Sequence, residues 1–158
     1  MSPIAEEILE RYWDYLLPVK VDDIASRLGV IIRALDEELS KNYSGLAYID
    51  SATGLKHIYY NQRESFNRQR FTKAHELGYL VLEHTVFKDK FYDDFKGDFD
   101  DPFEKEANII ASEILMPSKA VLRLAGSKVS RTEYDLARLF NVSIEAVDWK
   151  LRYLKIID

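Results

Sequence analysis

His75-Glu76-Leu77-Gly78-Tyr79 places a histidine and a glutamate at the spacing of the H-E-x-x-H zinc-peptidase motif, with a tyrosine where the second histidine belongs. On a helix, residues i and i+4 differ by about 40° in direction, so side chains at 75 and 79 can converge on one tetrahedral ion. The glutamate that follows the first ligand can reach a water on that ion and take its proton as the water attacks a peptide carbonyl. His75 is therefore the candidate metal ligand and Glu76 the candidate catalytic base.

A third ligand must come from elsewhere in the chain. With no cysteine and three histidines, the donors are limited to imidazole, carboxylate and tyrosine. Glu104 and Asn108 stand at i and i+4 in a second helical segment, so Glu104 can bind metal while the Asn108 amide hydrogen-bonds a ligand. Glu106, two residues on, is turned about 200° away and cannot share that face.

Tyr79 leaves three readings open. Its phenolate could ligate zinc, although an ordinary pKa near 10 requires the metal to drive ionisation. Alternatively His75 and Glu104 hold the ion with another group, for which His84 is the obvious substitute; nine helical positions turn it about 180° from His75, so only a helix break would bring it in. In the third reading the site is dead, and the helix persists because Phe71, Gly78 and Leu82 pack a core.

The elements that would position these residues are legible in part. Ser2-Pro3 opens a helix carrying Ile4, Ile8, Tyr12 and Tyr15, which Leu17-Pro18 stops. Asp22 to Leu28 predicts a short helix ended by Gly29, and Val30-Ile31-Ile32 a strand. Gly45 to Asp50 and Leu55 to Asn61 predict a hairpin around Gly54, giving a small antiparallel sheet. Helical spacing then runs from about Ser65 to Glu83 and from Glu104 to Met116, followed by a short helix over Ser118 to Leu124 before Gly126. Ser130-x-x-Glu133 predicts a capping box for a helix to Phe140, and Ser143 caps a last helix to about Leu154. Thr85 to Phe103 holds six aspartates, three lysines and six aromatic residues without a period, and predicts a solvated loop. Its acids do not match a calcium-loop spacing.

The fold class expected is α+β: a mainly helical, zincin-like single domain over 1–158, with a catalytic-like core over 1–126 and a helical subregion over 127–158. The 158 residues, 47% apolar and 31% charged, suffice for one such core. A formal charge of −5 argues against a broad nucleic-acid surface. With no long apolar run to span a membrane and no signal-peptide pattern at the start, a cytoplasmic location is expected.

Two segments together resemble a known family. RFTKAHELGYLVLEH is similar to the R-F-T-x-A-H-E-L-G-H helix of the ImmA/IrrE metallopeptidases, and EKEANIIASEILMP is similar to their E-x-E-A-N-x-F-A-x-x-L-L-M-P helix. The segment Leu17-Pro18-Val19-Lys20-Val21 with Ile24-Ala25-x-x-Leu28-Gly29, and LARLFNVSIEAVDWKLRYLKII at the C-terminal end, extend the resemblance over almost the whole chain. It implies a zinc-dependent endopeptidase whose substrate is commonly a helix-turn-helix repressor encoded beside it on a prophage or integrative element. Cleavage of that repressor switches on the genes it silences. Position by position, the resemblance makes His75 the first zinc ligand, Glu76 the base and Glu104 the third ligand, while Tyr79 departs from the second. A degenerate member could instead bind the same partner without cutting.

Two further features have rival readings. His57, on the hairpin face of Tyr59, is expected to be a partly exposed strand histidine, and the hairpin edge could add an extended peptide as a strand. Ala137, Asn141 and Val147 fall at helix-turn-helix positions, but Glu145 and Asp148 place acids where phosphates would lie, which disfavours DNA reading. The 13% aromatic content, with ten tyrosines, suits either core use or a sticky surface for a partner or a dimer.

Overall fold

The computed structural model describes residues 2–82, 90–92 and 102–158. In chain order the helices are α1 (Pro3–Tyr12), α2 (Val21–Arg27), α3 (Glu37–Ser40), α4 (Phe66–Val81), α5 (Pro102–Leu115), α6 (Ser118–Ala125), α7 (Glu133–Phe140) and α8 (Ile144–Tyr153). The strands are β1 (Val30–Ala34), β2 (Gly45–Ile49), β3 (Lys56–Tyr60) and β4 (Lys90–Tyr92). The expected α+β class, mainly helical with a small sheet, is what forms. Among the described residues no helix is long and apolar enough to cross a membrane.

The hairpin forms as expected, with β2 antiparallel to β3 and Gly54 at φ 73°. Asp50 organises the turn: its backbone N–H donates to Leu55 O at 2.8 Å and its Oδ1 accepts from Ala52 N at 2.9 Å. The sheet is mixed rather than antiparallel throughout, because β1 joins β3 in parallel; the order is β1-β3-β2-β4. Strand β4 lies within the stretch expected to be a loop and pairs with β2 over Gly45–Ala47. The hairpin edge considered for an extended peptide is thus taken by the chain itself over those residues.

Two local expectations fail for local reasons, and one short helix was not foreseen. Helix α1 ends at Tyr12, before Tyr15, because Asp14 Oδ1 accepts from Leu16 N at 3.0 Å and Trp13 Nε1 donates to Leu16 O at 2.9 Å. Such side-chain bonds offer the backbone an alternative to the helix, and Tyr15 sits exposed at φ 62°. Helix α7 is capped by Thr132 with Asp135, not by Ser130 with Glu133: Thr132 Oγ1 accepts from Asp135 N at 3.2 Å and Asp135 Oδ2 accepts from Thr132 N at 2.8 Å. Both pairs satisfy the spacing, and the sequence does not rank them. The short helix α3, capped by Asp36, has too few turns to show a period.

Helix α4 lies between the sheet and α5 and is buried at every position from Thr72 to Leu80. Its N-cap is Ser65, whose Oγ accepts from Arg68 N at 3.3 Å. The Arg70 guanidinium fastens the start of the helix to two distant segments, donating to Val19 O at 2.9 Å, Asn141 O at 3.2 Å and Phe140 O at 3.3 Å. One core runs from Ile8 and Ile24 through Leu77, Leu80, Ile110 and Ile114 to Phe140, Val147 and Leu151, so the C-terminal helices share it with the motif helix.

Candidate metal centre

The site depends on how closely α4 and α5 approach. A Cβ added to Gly78 would stand 3.0 Å from Ala107 O and 3.1 Å from Ala107 Cα, so the two backbones nearly touch there and only glycine fits without displacement. This contact brings the first turns of α5 against the middle of α4. His75 Nδ1 lies 2.7 Å from Asn108 Oδ1, and His75 Nε2 lies 3.2 Å from Glu104 Oε2. His75 is 2% exposed. The pairing of Glu104 and Asn108 on one face, expected from their spacing, is what the helix presents, and Glu106 is exposed.

These distances determine what the imidazole can do. With Asn108 Oδ1 as acceptor, Nδ1 is the nitrogen that donates, and Nε2 is the one that faces the Glu104 carboxylate. At 3.2 Å the imidazole nitrogen and the carboxylate can be joined by a proton on Nε2 or by a bound cation. Two donors on a tetrahedral ion, each about 2.0–2.2 Å from it, lie roughly 3.3–3.5 Å apart. His75 and Glu104 therefore fit two positions of one metal centre.

Tyr79 stands beside this pair. It is fully buried, its ring meets the His75 ring edge-on at 5.1 Å between centroids, and it packs on Ala107. The phenol occupies the face of α4 where a second histidine would point. Among the described residues no group of three histidines, cysteines, aspartates or glutamates converges, so a third donor of those types is not supplied there. His84 lies outside the described residues.

Glu76 faces the sheet. It is 1% exposed, and its Cγ would lie 3.8 Å from a Cβ at Gly45, the first residue of β2. That Cβ would also collide with Thr72 Cγ2 and stand 2.8 Å from Tyr59 O, so Gly45 lets α4 seat the candidate base against the strand.

Sequence reasoning missed four supports: Gly45, the Gly78–Ala107 contact, Phe71, whose ring stacks on His75 at 5.7 Å, and Arg70. The glycines were visible as letters but not as contacts, because a close approach involves a partner far along the chain. His57 is corrected: it is buried, 8% exposed, and stacked on Tyr48 at 4.6 Å rather than partly exposed. In the C-terminal helix pair, Ala137 and Val147 are buried in the core and Asn141 takes the left-handed conformation that ends α7. Glu145 is exposed, and Asp148 pairs with Arg152 at 2.9 Å.

The profile of the Peptidase_M78 family, described as an IrrE N-terminal-like domain, matches residues 25–152. The match spans most of the chain, and the chain belongs to that family of metallopeptidases. No curated protein matches it significantly.

Proposed function

We propose that this member of the IrrE N-terminal-like peptidases is a cytoplasmic, zinc-dependent endopeptidase that cleaves one partner protein, a helix-turn-helix repressor of a prophage or other mobile element, and so derepresses its genes. The observation that supports the reading is the convergence of His75 Nε2 and Glu104 Oε2 at 3.2 Å, close to the separation of two donors on one tetrahedral ion. His75 and Glu104 would hold the zinc, with Tyr79 at the place of the second histidine. Bound zinc would lower the pKa of a water and polarise the scissile carbonyl. Asn108 holds the His75 ring in its working tautomer. Glu76 accepts a proton at its buried carboxylate and returns it to the leaving amine. Residues 1–158 work as one domain, the core over 1–126 being braced by the helices of 127–158.

A second reading has its own support. Tyr79 in place of histidine favours a partner-binding relative that blocks or stabilises the repressor without cutting it, since losing a ligand removes much of a site's affinity. One set of measurements separates the two. The peptidase predicts zinc at one equivalent and cleavage of the repressor that Glu76→Gln abolishes while zinc is retained. Absence of zinc at saturating concentration, with repressor binding unchanged by Glu76→Gln, leaves the binding module. Tyr79→His complements both: a gain of zinc affinity and cleavage indicates that the remaining machinery is intact.

A further inference from the structure

The stretch from Ile114 to Thr132 contains Lys119, Arg123, Lys128 and Arg131 and no aspartate or glutamate, in a chain of net charge −5. Helix α6 and the turn after it gather these four on one surface. Lys119 and Arg123 stand at i and i+4 on the exposed side of α6. Arg131 reaches back to the end of that helix, its Nη1 donating to Leu124 O at 3.3 Å and to Ser127 Oγ. It thereby closes the turn that carries the exposed Lys128.

Most of this charge is uncompensated. Arg123 and Lys128 are exposed and form no ion pair among the described residues. Arg131 is bonded to neutral oxygens, and Lys119 meets Glu10 at 3.8 Å, a loose contact between two exposed side chains. Apolar side chains stand among the cations: Leu122, between Lys119 and Arg123, is 47% exposed, and Val129, next to Lys128, is 62% exposed. The surroundings limit what can bind. Glu10 borders the patch on α1, and Asp135, which interacts electrostatically with Arg131, borders it on α7. A nucleic-acid duplex carries its phosphates well beyond so narrow a strip and offers no apolar contact to Leu122 and Val129 along its backbone. A short acidic segment with apolar residues between its carboxylates matches both the sign of the patch and its alternation.

We infer that α6 and the turn after it bind an acidic segment of the partner protein, with carboxylates on Arg123 and Lys128 and an apolar side chain on Leu122 and Val129. The inference rests on the proposed action on a partner protein and names the kind of segment by which that partner is held. From Glu104 the patch is reached by following α5 to its far end, roughly 20 Å of helix. It tethers the partner there and leaves the metal centre open to a different segment.

The test uses the full chain with Glu76→Gln, which prevents cleavage, and fluorescein-labelled peptides whose binding is read by anisotropy. The probes are a short peptide alternating glutamate with leucine, a counterpart with lysine for glutamate, and another with serine for leucine. The peptide of glutamate and leucine is expected to bind about tenfold more tightly than either counterpart. Arg123→Glu with Lys128→Glu, at exposed positions, is expected to remove the preference for glutamate over lysine, and Leu122→Ser the preference for leucine over serine. No binding, equal binding of the acidic and basic peptides, or a preference that survives Arg123→Glu with Lys128→Glu would each overturn the inference. Tighter binding of duplex DNA or of phosphatidylglycerol vesicles than of the peptide would overturn it too, by assigning the patch to a phosphate-bearing surface. Zinc content is read in the same samples. Absent peptide preference with zinc retained removes the patch alone, whereas missing zinc with the preference retained removes the peptidase and leaves the patch.

Discussion

Helix α5 carries two carboxylates nine residues apart, the half-buried Glu104 and the buried Glu113, and they have opposite fates. Glu113 is complete: it accepts from Lys150 Nζ at 2.6 Å, from Ser118 Oγ at 2.6 Å and from Ser118 N at 2.9 Å, tying α5 to α6 and α8. Glu104 meets the Nε2 of an imidazole whose other nitrogen already has its partner. The first cluster brings its own cation, and the second sets two donors at the spacing of a shared ion. A buried charge whose partners are all in place holds a fold together, whereas metal-type donors brought together from two helices mark a candidate site.

The contrast breaks most visibly at Lys150. Lys150→Met leaves the Glu113 carboxylate buried and unpaired, and removal of one partner from such a pair costs about 3–5 kcal/mol. Denaturant unfolding measures the loss. Replacing both residues, Glu113→Leu with Lys150→Met, recovers most of it, because the penalty lies in the uncompensated charge. Zinc binding by the folded fraction is expected to stay unchanged in both variants. A fall in zinc affinity with Lys150→Met would show that the two ends of α5 are coupled.

Gly78→Ala acts on the other cluster. The new Cβ, 3.0 Å from Ala107 O, forces the helices apart by a few tenths of an ångström, with an overpacking cost of about 1–3 kcal/mol. His75 and Glu104 separate with them, so zinc affinity measured by competition with a chelator falls at least tenfold. Asn108→Ala is gentler on the fold and sharper on function. It frees the His75 tautomer and is expected to lower zinc affinity about 10–100-fold. Thermal unfolding of the zinc-free protein should shift by no more than about 1 kcal/mol, the worth of one hydrogen bond. A large stability loss with zinc affinity intact would make Asn108 a packing residue.

The two carboxylates differed in legibility as well as in role. Glu104 was readable because its i+4 relation to Asn108 and the fixed spacing of His75 and Glu76 are local, and local geometry is what a sequence encodes directly. The Glu113–Lys150 pair was not, since its members are far apart in the chain and neither departs from an ordinary helical pattern. The same division runs through the fold. The motif helices and the β2–β3 hairpin follow from caps, periods and a turn glycine. The parallel placement of β1 and the pairing of β4 depend on partners distant in the chain. The near contact of Gly78 with Ala107 belongs with them: glycine shows that a backbone can come close, and only the folded chain shows which one does.

The smallest effect concerns acid. Burial alone would raise the Glu113 carboxyl, but the nearby Lys150 ammonium and the Ser118 hydroxyl and N–H hold it below the ordinary carboxylate range. A carboxyl depressed in the folded state contributes stability that is present above its unfolded value, about 4.3, and is lost as pH falls through its folded value. Stability should therefore fall with acid below about pH 4.3, this one group adding a slope of at most about 1.4 kcal/mol per pH unit. Asp14, Asp50 and Asp135 are also depressed, by backbone N–H donors at their turns and caps, and they titrate over a similar range. A difference measurement isolates Glu113: the variant with Glu113→Leu and Lys150→Met keeps those three aspartates, and its stability curve between pH 5 and 3 should be flatter than that of the parent. Parallel curves would mean that Lys150 and Ser118 do not hold the carboxyl down, and the cluster that looks complete would owe its fit to packing rather than to charge.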